Sequence, residues 1–231
     1  MKVFKPSISE EHGIKLIKNT DKNILSIGIS TAGSAEIEMA KKNPSSHIIA
    51  TTIDNRGMEF TKKIIMQEGL KDRIELKIED ISKKLPYNNN FFDFVYARLV
   101  LHYLNNNQLE RSLSEIYRVM KYGSKFFIAV RSIDEWEAKL EGVTFNEETG
   151  ITKYPDIKTL GTDNVRYIER RLHSKDSIKQ FLLKAGFKID YIQEYEEYLY
   201  RDYERIDVNP KANKIIEVCA SKINMEEKSN G

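Results

Sequence analysis

Residues 24–42 read ILSIGISTAGSAEIEMAKK, and the way this stretch divides decides the fold. Ile24 to Ile29 is a short, mostly apolar run of the kind that forms a strand buried on both faces. Gly28 and Gly33 frame a turn, and helix-favouring residues follow with apolar positions at Ile37, Met39 and Ala40. Strand, glycine-bearing turn and helix together let a backbone approach a nucleotide-like ligand closely. Glycine suits the turn because it tolerates positive φ and has no Cβ to hold a ligand away. A second apolar run, HIIATTI at 47–53, ends in Asp54. An acid at the end of the second strand, twenty-odd residues past the glycines, is where such folds grip a ribose diol. The two pieces propose a nucleoside-bearing cofactor lying across the strand ends.

Outward from this stretch the chain alternates. Residues 1–23 are polar, with a helix expected from Ser9, as N-cap, to Lys18, covering the pocket or packing on the sheet edge. Asn55 to Leu70 carries apolar residues at helical spacing and stops at Gly69. RIELKI (73–78) reads as a third strand, and the apolar run Phe91–Tyr96 as a fourth. Gln108 to Met120 is an amphipathic helix, expected to break at Tyr122-Gly123 before a fifth strand, SKFFIAV at 124–130. The alternation implies a parallel sheet with right-handed crossovers. Residues 131–172 lose it, offering one helical candidate, Asp134 to Leu140, in a loop-rich insertion. Such a length more often forms a functional cover than an idle linker. A helix is expected over Ser174–Ala185, then strands over Phe187–Glu194 and Lys214–Ala220. No helical crossover separates those two strands, so they should be antiparallel neighbours. The reading is an α/β fold: a seven-stranded, mostly parallel sheet with an antiparallel last strand and helices on both faces. Residues 1–23 form its lead-in, 24–222 the domain, 131–172 a substrate-side lid, and 223–231 a disordered tail.

Composition bounds the function. The chain has 231 residues, 40% hydrophobic and 31% charged, enough for one α/β domain with an appended lid. No run approaches the roughly 20 apolar residues of a membrane span, and the first residues lack a signal-like apolar stretch. The lone Cys219 excludes an intramolecular disulfide and suits a reducing cytosol. With a net charge of +2 and interspersed signs, no basic patch for nucleic acid stands out. His12 and His47 are too isolated for a metal site, and none is expected. These readings suit a cytoplasmic protein, a monomer or homodimer.

Taken in order, the motifs resemble the class I S-adenosylmethionine-dependent methyltransferases, in the small-molecule branch with the generic methyltransferase domain. The family's first motif pairs an acid with three glycines; here Ser26 stands at the acid, Gly28 fits, Ser30 and Ala32 replace later glycines, and Gly33 lies one place further on. IleAspAsn at 53–55 matches the second motif, whose acid holds the ribose. GluAspIle at 79–81 matches the third, where the acid and the next amide read the adenine. PheAspPheVal at 92–95 with the LHYL exit at 101–104 matches the fourth strand, and residues 115–128 match the helix and fifth strand beyond it. The resemblance implies S-adenosylmethionine as cofactor, held by Ser26, Gly28, Ser30, Gly33, Asp54, Asn55, Asp80, Ile81 and Ala97. A serine in place of the acid costs the cofactor's ammonium roughly 1 to 2 kcal/mol unless another acid compensates. His102 and Tyr103 lie where the methyl group would project and are the catalytic candidates. Arg131, Trp136, Tyr154, Arg166 and Tyr167 would form an aromatic, partly cationic acceptor pocket, or else the insertion's own small core. A non-catalytic scaffold of the same fold, and an RNA or protein methyltransferase, stay open as alternatives.

Overall fold

The computed structural model describes residues 7–29, 31–200, 202 and 205–224. A seven-stranded sheet carries the chain, built from β1 (Asn23–Ile27), β2 (His47–Thr52), β3 (Ile74–Ile78), β4 (Phe92–Arg98), β5 (Met120–Arg131), β9 (Lys188–Glu197) and β10 (Asn213–Ser221). Its order is β3-β2-β1-β4-β5-β10-β9, parallel through β5, with β10 antiparallel to both neighbours. This is the sheet expected from the sequence, antiparallel final strand included. The chain steps outward from β1 to β3 and then returns to β4 on β1's other side. That reversal opens a crevice at the strand ends, where doubly wound sheets take their ligands.

Both faces of the sheet are covered, and the central strands show why. In β4, Val95 packs with Leu109, Leu113 and Leu182 on one face, whereas Phe94 and Tyr96 join Met39, Ile48 and Phe127 on the other. Side chains alternate along a strand, so an apolar run serves two helical layers. The helices are α1 (Ile8–Lys15), α2 (Ser34–Lys42), α3 (Asn55–Gln67), α4 (Asn106–Val119) and α5 (Lys175–Lys184). Helix α4 buries Leu109, Leu113, Ile116 and Val119, one stripe at helical spacing, and starts in a capping box between Asn105 and Gln108. Gly13 of α1 lies so close to the sheet that an added Cβ would stand 2.5 Å from Tyr96 Cε2 and 2.8 Å from Phe127 Cδ1.

Three local expectations are corrected. Ser9 does not cap α1: the helix begins after Ser7, whose amide donates to Glu10, and Ser9 instead donates both its amide and its hydroxyl to Glu197 at 2.7 Å. The break after α4 comes earlier than expected: α4 ends at Val119 and β5 starts at Met120. Around Tyr122-Gly123 the pairing of β5 with β4 is irregular, Met120 opposite Phe92 and Lys125 opposite Phe94, with Gly123 at φ +78° and its amide donating to the Lys222 carbonyl. The insertion holds more regular structure than expected between its loops. It forms a second, antiparallel sheet of β6 (Thr144–Asn146), β7 (Ile151–Pro155) and β8 (Tyr167–Arg170), and the helical candidate reduces to a single 3-10 turn, Trp136–Lys139. Pairing with neighbours, rather than local propensity, makes such short strands.

The cover is tied down at its two ends. The Arg171 amide donates to the His102 carbonyl, and its guanidinium holds the carbonyls of Leu104 and Thr149. His173 and Arg131 join through their backbones, the His173 amide donating at 2.9 Å. No helix among the described residues is long and apolar enough to cross a membrane. Of the expected tail, residues 225–231 lie outside the described residues.

Candidate functional site

The site is assembled from the ends of β1, β2, β3 and β4. At the end of β1, Gly28 takes φ +77°, and an added Cβ would meet Val100 at 2.9 Å, so both conformation and space require glycine. Ala32, where the family pattern has glycine, also takes a left-handed conformation, φ 60°. The turn keeps its shape there at a cost of about 1 kcal/mol. Ser30 lies outside the described residues. Gly33 begins α2 and presses on α3: its Cβ would fall 2.5 Å from Thr61 Cγ2.

Ser26 is buried within β1 and donates its hydroxyl to Glu36 of α2 at 2.6 Å. The negative charge that the family pattern places on the strand is thus supplied from the neighbouring helix. Asp54 caps α3 by accepting the Arg56 amide at 3.0 Å, and Asn55 beside it is exposed. Asp80 accepts the hydroxyl and amide of Ser82, at 2.7 and 2.9 Å, and those bonds hold its carboxyl below the usual range. Ile81 turns its side chain into the core, and Ala97 is buried in β4 between Ile27 and Ile128. Only main-chain groups of those two can meet a ligand.

These residues fit an adenosine-bearing cofactor. Two carboxylates stand at the ends of adjacent strands, and Ile53 beside Asp54 leaves 75% of its surface exposed. An apolar side chain so exposed at a ligand rim suits the face of a base.

Beyond β4 lies a cavity of about 500 Å³, lined by Gly28 and Leu99 at the strand ends, Arg131 at the end of β5, and Arg166 and Arg170 of the insertion. His102 lines it and is buried, with neither ring nitrogen hydrogen-bonded. Burial, reinforced by Arg170 and Arg131, pushes its pKa well below the ordinary histidine value, so the ring is neutral. Tyr103 crosses it edge-on at 4.4 Å and is 57% exposed. Both candidates from the LHYL exit therefore meet at the cavity.

The acceptor-side candidates divide. Arg131 reaches the cavity, but its guanidinium is engaged by Glu135 and Glu137. Burial raises Glu135 to about 7 despite that pairing. Arg166 also reaches the cavity, exposed and paired with Asp156 at 3.2 Å. Tyr154 is fully buried and accepts from Arg170 at 2.9 Å. Trp136 and Tyr167 do not line the cavity: Lys211 lies over the Trp136 ring at 5.4 Å, and Lys153 over the exposed Tyr167 ring at 5.3 Å.

Sequence reasoning missed Arg98, Arg170 and Arg205. Arg98 ends β4 and pairs with Glu197 at 3.1 Å, and Glu10 of α1 joins Arg98 to Arg205. The acids that balance Arg98 and Arg205 come from α1 and β9, too distant in sequence to announce the cluster. Burial opposes the charge on Glu10, but the two arginines outweigh it and hold its pKa down. Among the described residues no group of three or more His, Cys, Asp or Glu is placed to hold a metal ion.

Residues 25–128 match the sequence profile described as "Methyltransferase domain". The chain is 24% identical over 119 residues to a demethylmenaquinone methyltransferase of Leptospira interrogans, which spans 51% of this chain and 47% of that protein. A demethylmenaquinone methyltransferase of Symbiobacterium thermophilum is 29% identical over 104 residues, 45% of this chain and 40% of that protein. The chain thus spans less than half the length of these curated relatives. In overall shape it resembles a crystal structure of an S-adenosylmethionine-dependent methyltransferase from Methanosarcina mazei, with a TM-score of 0.69 at 19% identity, covering 90% of this chain and 95% of that one. Over residues 25–128 the chain carries a methyltransferase-domain sequence, and its fold resembles that of solved S-adenosylmethionine-dependent methyltransferases.

Proposed function

We propose that the protein transfers a methyl group from S-adenosylmethionine to a small-molecule acceptor held in the cavity between the sheet rim and the three-stranded cover. One observation carries this reading: a buried His102 with no hydrogen bond to either ring nitrogen lines a cavity to which Gly28 of the strand-end turn and Arg166, Ile168 and Arg170 of the insertion also contribute. Gly28 and the carboxylates of Asp54 and Asp80 are the residues to hold the donor. When bound, S-adenosylmethionine supplies a methyl group on a sulfonium, a leaving group already activated. What the chain must add is alignment and exclusion of water. The cover, docked through Arg171 onto the His102 carbonyl, does both. The burial and arginines that keep His102 neutral also make it a weak base, so its unpartnered ring nitrogens serve to hydrogen-bond and position the acceptor's nucleophile rather than to take its proton. The buried lone cysteine is consistent with a cytoplasmic setting.

The test incubates the protein with S-adenosylmethionine labelled in the methyl group and a prokaryotic cell extract, then separates protein, RNA and low-mass fractions. Label in the low-mass fraction, reduced by His102→Ala, is the expected result. Label confined to the RNA or protein fraction overturns the small-molecule reading.

A further inference from the structure

Charge around the cavity is balanced residue by residue, with one exception. Arg98 faces Glu197 at 3.1 Å, Arg131 faces Glu135 and Glu137, Arg166 faces Asp156, Lys158 lies 3.9 Å from Asp207, and Arg205 meets Glu10. Arg170 alone of the lysines and arginines lining the cavity has no carboxylate within ion-pair distance among the described residues. Its contacts are neutral: Nη1 donates to the Tyr154 hydroxyl at 2.9 Å, and Nη2 to the Tyr103 hydroxyl at a long 3.5 Å. Nε is buried and makes no hydrogen bond. In a guanidinium, Nε–H and one Nη2–H point the same way and form a fork that matches the two oxygens of a carboxylate. That edge carries no carboxylate among the described residues, and the half-exposed Tyr103 lies beside it, its hydroxyl on Nη2 and its ring 5.4 Å from Arg170 Cζ. The carboxylate that acts on Arg170 from a distance, Glu137, is itself bonded to Arg131, so no acid among the described residues is left to pair with this guanidinium directly.

The geometry points to an acceptor that carries a carboxylate, anchored on the Nε–Nη2 edge of Arg170 after displacing the Tyr103 hydroxyl. This rests on the methyltransferase reading and sharpens it to a substrate class. The carboxylate is the handle rather than the methylated atom. A guanidinium bonded to both oxygens withdraws the electron density that an attack on the methyl group needs, so the nucleophile is a second group of the acceptor, nearer His102.

Benzoate and benzamide, planar isosteres that differ in charge, serve as probes in titration calorimetry with S-adenosylhomocysteine present. Benzoate should bind at least about tenfold more tightly than benzamide. The preference should vanish in Arg170→Gln, persist in part in Arg170→Lys, and be unchanged in Arg166→Gln, whose cation is already paired. Equal binding of the two probes by the wild-type protein overturns the proposal, as does an undiminished preference in Arg170→Gln. Should Arg170→Gln fail to fold, the wild-type comparison still decides. Saturation with S-adenosylhomocysteine in the same cell separates the two readings: if the nucleoside does not bind, the methyltransferase reading fails, and if it binds without a benzoate preference, only the carboxylate proposal does.

Discussion

The hydroxyl of Ser26 on β1 donates to the carboxylate of Glu36 on α2 at 2.6 Å, with both residues fully buried. The strand and the helix thereby share one negative charge at the position where related sequences carry an acid on the strand itself.

Restoring that acid should harm this protein. Ser26→Asp places a second carboxylate against Glu36, and two buried like charges at hydrogen-bonding distance cannot both ionise. Thermal unfolding should show a loss of about 2 kcal/mol or more. The double variant Ser26→Asp/Glu36→Gln should recover most of it. If the single variant is as stable as the parent, the charge assignment is wrong.

Helix α1 depends on a missing side chain. Gly13→Ala drives a methyl group into Tyr96 and Phe127, which stack on each other at 5.3 Å. Overpacking of this kind costs roughly 1–3 kcal/mol. The loss should appear as faster proteolysis near α1, before the sheet unfolds; Gly69→Ala, strained by its φ of +71° at the end of α3 but remote from α1, should not speed cleavage there.

The buried histidines set an acid limit. Burial, with Arg171 adding to it, lowers His173 to about 3, and His102 moves in the same direction. Between about 6.5 and 3 the unfolded chain binds protons that the folded protein refuses. Stability is therefore undiminished by these groups above pH 6.5 and falls on acidification, by at most about 1.4 kcal/mol per pH unit for each histidine. Denaturant midpoints measured from pH 7 to pH 4 should fall less steeply in His173→Gln than in the parent. Parallel curves would remove His173 from the account.

Arg131 holds two carboxylates that would otherwise be buried alone. Arg131→Ala should cost about 3–5 kcal/mol at pH 8. The deficit should shrink towards pH 5, because Glu135, already raised to about 7 by burial, can then take a proton. A deficit independent of pH would mean that lost packing, not orphaned charge, is responsible.

The sheet was legible because its strands are apolar runs punctuated by Gly69, Gly186 and capping residues, signals that act within a few residues. The cover was not. Thr144–Asn146, Ile151–Pro155 and Tyr167–Arg170 are too short to carry a period, and only their mutual pairing makes them strands. In the site, Gly28, Asp54 and Asp80 could be placed by their distance from strand ends. The role of Arg170 could not, since the fold, not the sequence, sets it against Tyr103 and Tyr154, while Arg131's partners Glu135 and Glu137 lie only four and six positions on without any pattern marking them as its counter-ions. Glu36 was equally hidden, ten positions beyond the serine it compensates.

The central claim is that the ends of β1, β2 and β3 seat an adenosine-bearing donor, and titration calorimetry with S-adenosylhomocysteine tests it most directly. The account predicts a single site of micromolar affinity, weakened at least tenfold, or about 1.4 kcal/mol, by Asp54→Ala. No measurable heat with either S-adenosylhomocysteine or S-adenosylmethionine, from protein shown to be folded, would contradict it.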